Sequence, residues 1–289
     1  MLLNDYLRKT FGYKVYKIAI NAGFTCPNRD GTIDTRGCIF CSVGGSGELA
    51  GSPNRSVTEQ IEIGKKRVQD KIKDGKYIAY FQAFTNTYAP IDRLQDLYYE
   101  AINHPDIVAL SIATRPDCLS EDTLELLTEI NQVKPVWVEL GLQTAHNNTA
   151  EYIRRGYELS VYDHTVKILR DLDLEVITHV ILGLPGESED DMLETVQYVC
   201  NSGATGIKLQ LLHVLKDTDL ARDYIDKRFD VLSEEAYIDI LRKCVAIIPS
   251  DMVIHRLTGD GDKKLLIAPL WSGNKKHVLN RIRNEVLPG

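Results

Sequence analysis

Leu174-Glu175-Val176-Ile177-Thr178-His179-Val180-Ile181-Leu182 runs into Gly183-Leu184-Pro185-Gly186-Glu187 and then Ser188-Glu189-Asp190-Asp191. The first segment is short, rich in β-branched side chains and closed by a Gly/Pro turn, which is the pattern of a buried strand. Ser188 with Asp191 three residues later can cap a helix start, and Met192, Val196 and Val199 follow at helical spacing. Strand, polar turn and capped helix make one unit of an α/β fold.

The unit recurs. Strands are expected at residues 15–20, 77–84, 107–113, 136–142, 174–182 and 207–214, with 252–255 a candidate seventh. Ser56 and Glu59 open a helix carrying Val57, Ile61, Val68 and Ile72. Ser120 precedes Leu124, Leu127 and Ile130, and Ser233 precedes Tyr237, Leu241 and Cys244. Strands alternating with helices imply parallel strands joined by crossover helices. A barrel and a doubly wound sheet share this pattern, and periodicity does not choose between them.

Both architectures place the active site at the carboxyl ends of the strands, and polar residues gather at those ends. The first strand leads into Asn21-Ala22-Gly23-Phe24-Thr25-Cys26, and the second into Phe84-Thr85-Asn86-Thr87-Tyr88. The third ends in Thr114-Arg115-Pro116-Asp117, the fourth in Gly141-Leu142-Gln143-Thr144, and the sixth in His213-Val214-Leu215-Lys216.

Cys26, Cys38 and Cys41 follow the first strand as C-x11-C-x2-C in a glycine-rich, polar loop. Three thiolates occupy three corners of a four-iron cube and leave one iron open. The C-x2-C spacing suits zinc as well, but tetrahedral zinc needs a fourth ligand, and none lies at a typical offset. Spacing alone leaves zinc and iron–sulfur equally open. Cys118, Cys200 and Cys244 are isolated and read as packed residues.

Composition sets outer bounds. The 289 residues are 44% hydrophobic and 26% charged, as in a globular protein with a sizeable core. No signal peptide and no bilayer-spanning run is visible, so a cytoplasmic, membrane-free protein is expected. The net charge of −7 argues against a broadly basic nucleic-acid surface. A local basic bias remains in Lys263, Lys264, Lys275, Lys276, Arg281 and Arg283, which equally suits a solvated helix face.

Taken together, the chain resembles radical S-adenosylmethionine (SAM) enzymes. Within them it resembles the YhcC/YtqA group, related to the radical SAM domain of the elongator acetyltransferase. Cys26…Cys38-Ile39-Phe40-Cys41, Ser111–Asp117, Glu139–Gln143, His179–Glu187 and Ile254–Gly261 carry the likeness, which spans nearly the whole chain.

The resemblance implies a partial (β/α)6 TIM-type barrel with a short C-terminal extension. The barrel with its N-terminal cluster loop would be residues 1–215, and the extension packed on it residues 216–289. It also implies a [4Fe–4S] cluster on Cys26, Cys38 and Cys41, with SAM chelating the open iron. The reduced cluster would cleave SAM to a 5′-deoxyadenosyl radical, drawing on an external one-electron donor.

Phe40 matches the aromatic that packs on adenine, Gln143 a ribose contact, and Arg155 a SAM-carboxylate grip for which Arg154 competes. Gly183 and Gly186 would admit close backbone approach. The superfamily's Gly-Gly-Glu motif is absent, and Asn86 stands in its region. Thr114 stands where it could replace an acid that some relatives carry at the Ala113 position, and His179 occupies a position that is acidic in other relatives. Tyr88, Arg115, His213 and Asp260 are substrate-side candidates. Kinship with the elongator domain points to tRNA wobble uridine as substrate, modified or trimmed at its C5 side chain; acetyl transfer is not expected with only a short tail after the barrel. A small-molecule substrate is the rival enzyme reading, and a zinc-stapled binding protein the non-enzymatic one.

Overall fold

The structure is a computed structural model that describes residues 1–287 except 49, 73–74 and 260. Its elements are α1 (Leu3–Phe11), β1 (Val15–Ile20), α2 (Val57–Val68), β2 (Lys76–Phe81), α3 (Ile91–Asn103), β3 (Ile107–Thr114), α4 (Glu121–Asn131) and β4 (Val136–Gln143). Then come α5 (Asn147–Tyr152), α6 (Leu159–Asp171), β5 (Glu175–Leu182), α7 (Glu189–Asn201), β6 (Gly206–Leu211), β7 (Val214–Leu215), α8 (Asp219–Ile225) and α9 (Glu234–Ile247). The chain closes with β8 (Val253–Arg256), β9 (Leu266–Ala268) and α10 (Lys275–Arg281). Among the described residues no helix is long and apolar enough to cross a membrane.

Seven parallel strands in the order β1-β2-β3-β4-β5-β6-β8 form a curled half-barrel. The partial TIM-type barrel is present with seven strands rather than six, the last of them short. The sixth strand is also shorter than the apolar run suggested. It leaves the sheet after Leu211, and Val214–Leu215 pairs antiparallel with β9 instead. The run from Ile207 to Val214 does not reveal such a break, because both pieces are buried.

The strands alternate faces with a period of two. Outward residues such as Ile18, Ala79, Leu110, Val138, Val176 and Leu209 join the helices in the main core. Inward residues stack in layers. The lowest is apolar, with Val15, Ile78, Ala109, Trp137 and Ile177 plugged by Leu7 of α1. The next holds Lys17, Tyr80, Ser111, Glu139, His179 and Lys208, each two residues further along its strand. The third, at the carboxyl ends, lies open to a cavity.

Helices α2, α4, α7 and α9 begin at Ser56, Ser120, Ser188 and Ser233, whose side chains accept from the N3 backbone amide. The helices α3 and α6 start at Pro90 and Glu158 without a side-chain cap, which is why no start signal placed them in the sequence.

Gly64 lies within α2, where glycine costs about 1 kcal/mol relative to alanine. An added Cβ there would run into Ile18 Cγ2 of β1, so close helix–strand contact explains the glycine. Gly64→Ala is therefore expected to destabilise by about 1–3 kcal/mol despite its better propensity. In urea denaturation, the double variant with Ile18→Ala should lose less than the sum of the two single variants.

Candidate functional site

The carboxyl ends of the strands surround a cavity of about 240 Å³ whose wall includes Cys26, Cys38 and Cys41. The cysteine loop is tied down locally. The Cys41 amide donates to the Cys38 carbonyl at 3.0 Å, closing a tight turn between them. Arg29 Nη2 donates to the carbonyls of Cys41 (2.8 Å) and Ser42 (2.6 Å). Asn28 Nδ2 donates to the Arg154 carbonyl (2.8 Å) and toward Cys38 Sγ (3.4 Å), fastening the loop to the segment after α5.

All three thiols are free of disulfides. Burial first, then the neighbouring Cys41, pushes the Cys38 thiol up to about 12, and burial raises Cys41 against the pull of Arg29. The charge of Cys26 is felt at both. Cys38 and Cys41 resist ionising unless a cationic centre joins them.

Its spread is informative. Tetrahedral zinc, with Zn–S near 2.3 Å, holds its sulfurs about 3.8 Å apart. Among the described residues, two groups have three ligand atoms mutually within 4.8 Å: Glu62/His104/Asp106 and His146/Asp191/Glu194. The cysteines are not such a group, so at least one pair of their sulfurs lies more than 4.8 Å apart.

Several of the residues anticipated from the sequence share this cavity: Phe40, Thr114, Arg115, Gln143, Arg155, His179 and His213 line it with the cysteines. Arg115 is gripped by Asp117 through Nε (2.9 Å) and Nη2 (2.7 Å). Burial opposes its charge, but Asp117 and the nearby Cys26 and Cys38 raise its pKa on balance. Gln143 sits at a bulge of β4 with φ +67, and its amide nitrogen reaches the Gly141 and Leu142 carbonyls. A left-handed non-glycine residue at a strand end is strained.

Arg155 spends Nε on Tyr157 O (3.1 Å) and Nη1 on Thr144 O (2.7 Å), and its guanidinium stacks on the Tyr157 ring. Arg154 turns away from the cavity to pair with Asp219. The Thr114 hydroxyl is engaged by Thr87.

Other anticipated residues, Gly186 among them, stand elsewhere. Asn86 is fully buried, with Nδ2 on Ala113 O (2.8 Å), and is not part of the wall. Tyr88 lies in a separate surface groove with Asp117 and Cys118, its hydroxyl on Thr32 (2.9 Å). Gly183 turns with φ +88 against Leu232. Asp260 lies outside the described residues. Its neighbours Gly259 and Gly261 line the cavity, and a Cβ on either would strike the His213 ring.

The floor holds what the sequence reading missed. Glu139 is fully buried and accepts from Lys17 Nζ (2.6 Å), Ser111 Oγ (2.6 Å), His179 Nε2 (2.7 Å) and Lys208 Nζ. Burial opposes its charge, yet Lys17 and Lys208 hold its pKa well below the usual carboxylate range. Burial, with Lys17 competing for the one carboxylate, drives Lys208 well down. His179 is pressed down to about 4 by burial and Lys208, so it is neutral, donating to Glu139 through Nε2 and facing Gln210 through Nδ1. Lysines and a glutamate in the middle of apolar strands were the signal that could have revealed this layer.

Residues 26–199 match the Radical SAM superfamily and residues 204–287 the Radical_SAM C-terminal domain. The chain belongs to the radical SAM superfamily. It is 45% identical to YtqA of Bacillus subtilis (strain 168) over 98% of this chain and 88% of that protein. It is 37% identical to YhcC of Escherichia coli (strain K12) over 93% of this chain and 86% of that one. Identity to the tRNA uridine(34) acetyltransferase of Methanocaldococcus jannaschii is 26%, over 53% of this chain and 28% of that protein. Among solved structures, the archaeal Methanocaldococcus infernus Elp3 with an N-terminal deletion superimposes with a TM-score of 0.70 at 19% identity. It covers 95% of this chain and 64% of that one, which is a likeness of fold. The superfamily implies an iron–sulfur cluster and SAM, and the donor set of three soft thiols beside a cavity fits that pair.

Two measurements check this electrostatic picture. Glu139→Gln leaves two buried ammonium groups without their carboxylate and should cost about 3–5 kcal/mol in chemical denaturation. His179 and His213 both lie near 4 when folded, burial being the main cause, against 6.5 unfolded. Below pH 6.5 the unfolded chain takes up protons that the folded one refuses. Stability should therefore fall as pH drops from 6.5 to 4, by at most about 1.4 kcal/mol per unit for each histidine. His213→Gln should flatten that slope.

Proposed function

We propose that this chain holds a [4Fe–4S] cluster on Cys26, Cys38 and Cys41, binds SAM in the adjoining cavity, and modifies the C5 side chain of wobble uridine in tRNA. The observation that carries the reading is the meeting of three thiols at the mouth of a half-barrel in a radical SAM chain. The match to the radical SAM superfamily weighs against the zinc-stapled binding protein. When bound and reduced by an external one-electron donor, the pair supplies a radical able to take hydrogen from an unreactive carbon.

The chain's own residues orient and shield. Phe40 offers its ring to adenine from the turn between two cysteines. Arg155 has only Nη2 left for a carboxylate, because carbonyl oxygens occupy Nε and Nη1. Arg115, fixed by Asp117, keeps a positive charge beside Cys26 and Cys38. Ile181 and Leu212 add apolar wall that excludes water. His213, neutral and with Nε2 unpartnered among the described residues, faces the substrate side.

Wobble uridine as substrate is supported by the likeness to a tRNA uridine(34) acetyltransferase and to Elp3. The net charge of −7 favours a second reading, a small-molecule substrate. Mass spectrometry of tRNA nucleosides separates the two. Cells lacking the gene, or carrying Cys38→Ala, should lose or accumulate one C5-substituted uridine relative to wild type. An unchanged nucleoside profile contradicts the tRNA reading and leaves the small molecule.

A further inference from the structure

Among the described strands β1 pairs with β2 alone, so its other edge, apart from the Ala19 carbonyl that accepts from Gly51 N (3.3 Å), faces a gap toward β8. The helix α1 spans the lower end of that gap. Two depressions lie along it. One, between α1, β1, β6 and β8, is lined by Arg8, Lys14, Lys17, Lys208 and Arg256. The other, between β1, α2 and the segment before α2, is lined by Lys17, Arg55 and Arg67. Lys17 belongs to both, and Arg256 belongs to the first depression and to the cysteine cavity. The three hollows therefore form one chain along the open edge.

Among the described residues no aspartate or glutamate lines either depression, although acids outnumber bases 41 to 34 in the whole protein. The inner lysines, Lys17 and Lys208, share the single carboxylate of Glu139. Arg8, Arg55 and Arg67 are exposed and make no ion pair among the described residues. An acidic protein that gathers unpaired guanidinium groups along one groove, ending at its reaction cavity, is built to receive an extended polyanion.

We propose that this cationic seam binds the phosphate backbone of RNA and leads a nucleotide into the cysteine cavity. The inference rests on the tRNA reading above and deepens it by naming the surface that holds the substrate. The exposed arginines neutralise phosphates, and the chain's overall negative charge disfavours other registers. Arg55 and Arg67 lie outside the cavity wall, so they act on binding and leave the cavity untouched.

Fluorescence anisotropy of labelled tRNA with the full chain, over a series of salt concentrations, tests the seam without requiring turnover. The Arg55→Glu/Arg67→Glu variant should bind at least about tenfold more weakly at low salt. It should also flatten the slope of log Kd against log salt by about 1–2, one to two fewer neutralised phosphates. Lys167→Glu, an exposed change on α6, should bind like wild type. Circular dichroism and thermal melting show that both variants fold. A double variant that binds like wild type, a Lys167→Glu loss of equal size, or a wild type without salt-dependent tRNA binding overturns the proposal. If the nucleoside profile still depends on the gene in any of these cases, the seam alone is wrong. If the profile is unchanged, the tRNA reading fails with it.

Discussion

One buried carboxylate ties the half-barrel together. Glu139 of β4 receives Lys17 from β1, Ser111 from β3, His179 from β5 and Lys208 from β6, so a single side chain engages five of the seven strands. A sheet whose interior is filled by apolar side chains alone has many ways to slide. Four donors on one carboxylate permit one register. The ion network adds little net stability over an apolar plug of equal volume, but losing its central acid would strand two ammonium groups. Its main consequence is geometric, because this layer becomes the floor of the cavity.

That floor explains the location of the chemistry. The apolar plug of Val15, Ile78, Ala109, Trp137 and Ile177 closes the lower end, the ionic layer sits on it, and the cavity opens at the carboxyl ends. The loop after β1 then folds over the opening and brings its cysteines to the rim. Asn28 and Arg29 hold the loop by hydrogen bonds to backbone carbonyls, so the thiols are placed by main-chain geometry rather than by one another. The incomplete barrel leaves a second consequence in its unpaired edge, where cations collect.

Much of this was legible in the sequence, and what was missed has physical causes. The strand at 15–20 is seen with the same ends in sequence and structure, because its apolar run is bounded by polar residues on both sides. Helices with a serine cap were placed, whereas α3 and α6 start at Pro90 and Glu158 and gave no signal. The cysteine spacing showed which thiols belong together but not their separation, which depends on how the loop folds. Asn86, Tyr88 and Gly183 follow strand ends as the other candidates do, yet they turn into the core, a side groove and a helix-packing turn. Position after a strand limits a residue to the rim and does not fix its direction. The pairing of Lys17, Glu139 and Lys208 joins residues more than a hundred positions apart in part, and no local pattern could announce it.

The central claim is that three thiols hold a four-iron cluster with one iron left to an outside ligand. Mössbauer spectroscopy of anaerobically reconstituted, iron-57-labelled protein, before and after SAM is added, tests it most directly. The account expects a [4Fe–4S] signal in which one iron of the four becomes distinct when SAM binds. A protein that takes up no such cluster, or one whose four irons stay equivalent with SAM present, contradicts it.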